Sequence, residues 1–230
     1  MTKDIDIKTL TNIITLDGPA GSGKSTLAKR IAARLGYAFL DTGAMYRAAT
    51  WWAMHNNVDM TDKKALAEST NTMPLKMKEN NGTLKVYIDS KDISEAIRTP
   101  EVTNAIKNLD GIPEVRKKMV RLQQQIASQA PTVADGRDMG TVVFPFAKTK
   151  VFLDADLEER TRRRALELKE KGIPFNPEVL KSEIHQRDEN DRNRSISPLK
   201  PAEDALILDT SNMSIDEVEE AIIQYAREKS

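Results

Sequence analysis

Nine residues, GPAGSGKST at 18–26, carry the most specific chemistry in the chain. They fit the pattern G-x-x-x-x-G-K-[ST], in which glycines let the backbone curl until successive N–H groups point at phosphate oxygens. A lysine at the position of Lys24 reaches the β- and γ-phosphates of a nucleotide, and a hydroxyl at Ser25 can ligate Mg²⁺. Gly18, Pro19, Ala20, Gly21, Ser22, Gly23, Lys24, Ser25 and Thr26 are therefore the candidate triphosphate-binding residues. A glycine-rich turn that merely joins strand to helix is the plainer alternative. The lysine and the Ser-Thr pair, with strand before and helix after, weigh against it.

A second set of residues is basic. DTGAMYR (41–47) puts Thr42, Tyr46 and Arg47 at the start of a helix. TVADGRDMGTVVF (132–144) places Asp135, Arg137 and Asp138 between two apolar runs, and apolar flanks read as buried strand. EERTRRR (158–164) holds Arg160, Arg162, Arg163 and Arg164. QRDENDRNR supplies Arg187, Asp191 and Arg194, which at spacings i, i+4 and i+7 would share one helical face. Solvated Glu–Arg pairs would account for EERTRRR and for Arg187–Asp191 equally well. They suit the 135–138 cluster less, because strand ends of an open α/β sheet are where ligands bind. Arginines beside a triphosphate site point to a second anionic substrate.

These residues need a scaffold, and the apolar pattern describes one. IITLD (13–17), YAFLD (37–41), 132–135, KVFLD (150–154) and ALILD (205–209) read as short buried strands. Helices are expected over 24–35, 43–55, 157–170 and from 177 to about 194, with two more opening at Pro100 and Pro113 and a last one capped by Ser214 and Glu217. Asp156 with Glu159 has the spacing of a capping box. LKMKENNGTLKVYID (75–89) alternates about an Asn-Gly pair and reads as a hairpin, with Leu75 and Met77 facing Leu84, Val86 and Ile88. The expected fold is α/β: a five-stranded parallel sheet covered by helices on both faces, with a small antiparallel β insertion.

Composition excludes several classes. Lys plus Arg and Asp plus Glu each total 35, so net charge gives no reason to expect nucleic acid or an anionic membrane. With no cysteine and only two histidines, His55 and His185, neither disulfides nor a Cys- or His-based metal site is available. No apolar leader or spanning run occurs, and a cytoplasmic location is expected. No N-K-x-D guanine-reading motif is present, which speaks against a GTPase.

Taken together, DGPAGSGKST, DTGAMYR, IRTPEV, PEVR, ADGRDMGTVVFP and RDxxDRNRxxxPL resemble the bacterial cytidylate kinase family of nucleoside monophosphate kinases, from about residue 13 to the C-terminus. The resemblance implies a P-loop kinase fold and the reaction ATP + CMP ⇌ ADP + CDP, with dCMP also accepted and Mg²⁺ as cofactor. It implies a core of residues 13–42 and 130–230 behind a polar leader of 1–12, a monophosphate-binding region of 43–129 with its β insert at about 73–98, and a short lid at about 158–175. By the same resemblance Arg47, Arg137 and Arg194 would hold the acceptor phosphate, Arg116 and Asp138 would read cytosine, and Arg187 and Asp191 would meet the ribose. Thr42 and Tyr46 would complete that pocket, and Arg160, Arg162 and Arg163 would join Lys24 and Arg137 in phosphoryl transfer. Asp135 would order the Mg²⁺ shell through water. Where the family commonly has a serine touching the base, this chain has Lys107. A monomer is expected, with no nucleic-acid or membrane partner. Two alternatives remain on residues alone: a kinase for another small acceptor, and a non-catalytic nucleotide-dependent protein whose arginines serve nucleic acid.

Overall fold

A computed structural model describes residues 10–80 and 83–229. The chain forms two compact units, one made of the residues up to Leu40 with those from Ala127 onward, the other of Asp41–Ile126.

The first unit is built on a five-stranded parallel sheet of β1 (Ile13–Asp17), β2 (Ala38–Asp41), β6 (Thr132–Gly136), β7 (Thr149–Asp154) and β8 (Leu206–Asp209), in the order β2-β6-β1-β7-β8. Central β1 pairs in parallel with both β6 and β7. It is buried on both faces, with Ile14 and Leu16 toward one side and Thr15 and Asp17 toward the other. Helices α1 (Lys24–Leu35) and α8 (Ile215–Glu228) cover one face, where Leu27, Ile31, Val218 and Ile222 pack on Ile14, Leu16, Val133, Val151 and Leu153. Over the other face runs a single π-helical turn, Met139–Val143. The second apolar flank of TVADGRDMGTVVF is thus not strand. Strand β6 ends at Gly136, and the chain turns there across the sheet, its Met139 and Gly140 N–H groups donating to Asp17 at the end of β1.

Helices α6 (Leu157–Glu170) and α7 (Pro177–Arg192) form a hairpin with its own small core of Leu168, Leu180 and Ile184. Gly172, at a φ of +65°, closes α6, and the Asn176 side chain caps α7 by accepting from the Glu178 and Val179 N–H groups. The Asp156–Glu159 capping box does not form: Asp156 makes no side-chain cap, and the Glu159 carboxylate is taken by Arg162 and Arg163. Helix α7 ends at Arg192, so Arg194 does not ride its face as the spacing suggested.

In the second unit, α2 (Thr42–His55) starts where Asp41 accepts from the Ala44 N–H. A helix not anticipated from the sequence follows, α3 (Lys63–Thr72), capped by Asp62 and packed through Leu66 and Ala67. The expected hairpin is β3 (Leu75–Asn80) against β4 (Thr83–Ile88), with Leu75 opposite Ile88 and Met77 opposite Val86. Its Asn81-Gly82 turn lies outside the described residues. Strand β5 (Lys91–Asp92) extends it, and α4 (Pro100–Ala105) and α5 (Pro113–Ala127) both open on their prolines.

The crossing from β1 into α1 tolerates no Cβ at its first residue. Gly18 has a φ of +148°, and a methyl there would overlap the Leu153 carbonyl oxygen of β7. Gly36, after α1, also has a positive φ (+68°) but nothing within 4 Å. Gly18→Ala should therefore cost more than about 3 kcal/mol, and Gly36→Ala only about 1 kcal/mol, in urea unfolding.

Candidate active site

Lys24 is 5% exposed and lies across the loop that precedes it, its Nζ donating to the Pro19 carbonyl at 2.6 Å and to Ser22 Oγ at 3.1 Å. Burial pushes its ammonium well below the usual lysine range, and the Arg137 charge adds to this, against the opposing pull of Asp135. A buried cation opposed by desolvation gains from any anion placed beside it. Beside it the Ser25 hydroxyl donates to the Asp135 carboxylate from the neighbouring strand β6. That contact brings together a hydroxyl and a carboxylate, the hard oxygen donors that suit Mg²⁺.

Arg137, just past the end of β6, reaches across to helix α7. Its Nε donates to Asp191 Oδ2 of α7 at 2.7 Å, and Arg194 Nη2 lies 3.6 Å from the other oxygen of the same carboxylate. Burial opposes the charges of both partners, yet their mutual attraction prevails: Arg137 is pushed above the ordinary arginine value and Asp191 below the usual carboxylate range. Asp191 thus has a long-range partner in addition to the local Arg187–Asp191 pairing that the spacing offers. Arg187 is exposed, and its charge still reaches Lys24 and Asp191. Asp138 is buried and immediately precedes the π-helical turn.

The arginines of α6 divide. Arg162 is a surface group, bound through two nitrogens to Glu159 at 2.7 Å each. Arg163 bonds Glu159 too, but also reaches the Thr210 hydroxyl at 3.0 Å and carbonyl at 2.6 Å, and the Ser22 carbonyl of the loop at 3.4 Å. Those two arginines hold the Glu159 carboxyl down at about 2, Arg162's hydrogen bonds being the larger influence. Arg160 is buried and turned to the loop itself.

In the second unit, Arg47 Nη2 contacts the Asp41 carboxylate at 3.2 Å and 3.4 Å, while its buried Nε has no hydrogen-bond partner among the described residues. Arg116 is buried, its guanidinium 5.9 Å from the centre of the Tyr46 ring. Thr42 is buried at the first turn of α2, and Lys107 is exposed.

Two acids that the residue patterns did not single out belong to this site. Asp188 is described below. Asp17, the last residue of β1, is buried and accepts from the Met139 and Gly140 N–H groups, each at 2.8 Å, one on each oxygen. It thereby seats the turn that follows Arg137 and Asp138. Burial raises its carboxyl to about 7, against the two N–H bonds and Lys24 that favour the anion. A terminal strand acid is common, and nothing in its spacing distinguishes it.

A glycine-rich loop between a buried strand and a helix, with a buried lysine and an adjoining Ser–Asp pair, defines a P-loop nucleotide-binding protein. The family model for cytidylate kinase matches residues 14–228. The cytidylate kinases of Citrobacter koseri and of Escherichia coli K12 are each 46% identical over 217 residues, covering 94% of this chain and 96% of theirs. A shikimate kinase from Bacteroides thetaiotaomicron aligns over 94% of this chain and 96% of its own at 15% identity and a TM-score of 0.46, too distant to inform the chemistry. The chain belongs to the cytidylate kinase family.

Asp17 yields a pH-dependent expectation. With a folded value of about 7 against an ordinary 3.8, the folded state holds a proton that the unfolded state lacks between those values. Stability from this group is greatest below about 4 and falls as pH rises to about 7. Asn in its place would set an amide N–H₂ against a backbone N–H. Asp17→Asn should lower the thermal midpoint at every pH. The wild-type advantage should shrink from pH 5 to pH 8 by on the order of 1–2 kcal/mol, read from thermal unfolding across that range.

Proposed function

We propose that this protein transfers the γ-phosphoryl group of ATP to CMP, and to dCMP, giving ADP and CDP or dCDP. The observation that carries the reading is the charge arrangement around Lys24. Arg137 leaves the strand next to the P-loop, is neutralised by Asp191 from α7, and still acts on the buried lysine. A site with that much prearranged cation suits two phosphate-bearing substrates.

Residues 18–26 would hold the ATP phosphates through backbone N–H groups and Lys24. Ser25 and Asp135 would hold Mg²⁺, Asp135 through water, and the ion supplies charge neutralisation across the β- and γ-phosphates when bound. In the residues up to Leu40 and from Ala127 onward, Arg137 and Arg194 would bind the CMP phosphate, Asp138 would accept from the cytosine amino group, and Arg187 with Asp191 would meet the ribose. In the Asp41–Ile126 unit, which we read as the monophosphate-binding region, Arg47 would bind phosphate, Arg116 the base, and Thr42 and Tyr46 the walls. The unspent Arg47 Nε supports an anion there. Lys107, which is exposed, stands where the family commonly has a serine touching the base.

A CMP phosphate oxygen attacks the γ-phosphorus as the bond to the β,γ-bridging oxygen breaks, and ADP leaves. The attacking phosphate is already anionic near neutral pH, so no general base is required. Alignment and charge neutralisation by Lys24, Arg137, Arg160 and Arg163 do the catalysis, while Arg162, expected among them, stays in its surface pair with Glu159. Residues of about 158–175, in α6 and the turn after it, would serve as the lid that keeps water from the transferring group. Among the described residues no helix is long and apolar enough to cross a membrane. We read the protein as a cytoplasmic monomer, which size-exclusion chromatography checks.

Coupled ADP production with CMP, dCMP, UMP and AMP side by side tests the substrate: CMP should win clearly, and a preference for another acceptor overturns the reading. Lys24→Ala should lower kcat by at least about 100-fold with the fold intact by circular dichroism. Asp138→Ala should raise KM for CMP by about tenfold or more and leave KM for ATP within about twofold. Equal damage to both would reassign Asp138 to structure.

A further inference from the structure

One P-loop residue, Ala20, is held from three directions by the α6–α7 hairpin. Its N–H donates to Asp188 Oδ1 at 3.1 Å. Its carbonyl accepts from Arg160 Nη1 at 3.0 Å, and that same nitrogen donates to the other oxygen of Asp188. Its methyl packs on the hairpin's apolar core of Leu168, Leu180 and Ile184. Arg160 is itself fixed, its Nε donating to the Ala155 carbonyl at 2.8 Å. Asp188 is 1% exposed and Arg160 5%. At the next residue the α6 backbone comes so close that a Cβ on Gly21 would sit 2.9 Å from the Arg160 carbonyl oxygen.

We infer that Asp188 is a positioning residue for the donor nucleotide: it sets the Ala20 peptide, and hence the direction of the loop N–H groups that follow, while holding Arg160 against the loop. A buried ion pair is a poor means of adding stability, since apolar side chains of the same volume often do as well. What this pair adds is geometry. The carboxylate bonds a loop N–H and the guanidinium bonds the carbonyl of the same residue, so the peptide groups on both sides of Ala20 are clamped. A phosphate cradle works only if its donors point inward before the nucleotide arrives, and small misplacements of such donors cost rate steeply. Arg187, adjacent in sequence, is exposed, so the two neighbours face different tasks: Arg187 the open side, Asp188 the loop.

This inference rests on the reading of residues 18–26 as the ATP cradle. Asp188→Asn keeps the shape and an acceptor for the Ala20 N–H but removes the charge that holds Arg160. It should lower kcat about tenfold or more and raise KM for ATP, with KM for CMP within about twofold. Amide hydrogen exchange of residues 19–23 should quicken in the same variant. If it does not yield folded protein, Asp188→Glu keeps the charge, displaces the carboxylate by one methylene, and carries the same expectations. A lower thermal midpoint with wild-type kcat, KM for ATP and loop exchange would reduce Asp188 to a structural brace and overturn the inference. If Lys24→Ala is inactive while the Asp188 variants are wild type, only this inference fails. If Lys24→Ala retains activity, the cradle reading itself fails.

Discussion

Cations kept out of water before a phosphate arrives must be matched by carboxylates, and that requirement organises the core unit. Lys24 and Arg160 are withdrawn from solvent, and Arg137 is largely so. Left unpaired, each would cost several kcal/mol of desolvation, more than a protein of this size can spare. Asp135, Asp191 and Asp188 supply the opposite charges, the first from the strand beside the P-loop and the other two from a single helix. The balance is incomplete at Lys24, whose ammonium is pushed down despite Asp135. Binding a phosphate is the event that would complete it.

The sheet order makes this matching possible. With β1 between β6 and β7, the loop after β1 and the Gly136–Asp138 stretch after β6 emerge side by side at the carboxyl ends of adjacent parallel strands. That is the crevice where open α/β sheets bind ligands. Asp17 joins the two by accepting from Met139 and Gly140, so the donor cradle and the segment bearing Arg137 and Asp138 share one anchor. The π-helical turn continues from that seating: its first two amides are taken by Asp17, and Val143 and Phe144 donate back five residues, to Asp138 and Met139.

The α6–α7 hairpin has a double character. Its outer residues, such as Arg162 paired to Glu159, behave as an ordinary solvated helix face. Its inner residues, Arg160, Arg163 and Asp188, grip the backbone of the P-loop at Ala20 and Ser22. A run of arginines that looks uniform in sequence is thus sorted by the 100° rotation between successive helical residues into surface and site.

Much of this was legible in the residues alone. Strand and helix periods located the five core strands and the helices from α1 to α8 apart from α3, whose short polar run hides its three buried positions. The phosphate loop was legible because its chemistry demands glycines, lysine and hydroxyl at fixed offsets. Tertiary structure decided what local spacing could not. It brought Asp191, 54 residues away, to Arg137, ended α7 before Arg194, turned MGTVV into a π-helical cover, and gave Asp17 and Asp188 their partners. The reason is physical: a motif that binds phosphate with its own backbone is written in consecutive residues, whereas a buried charge is neutralised by whichever residue the fold brings within reach.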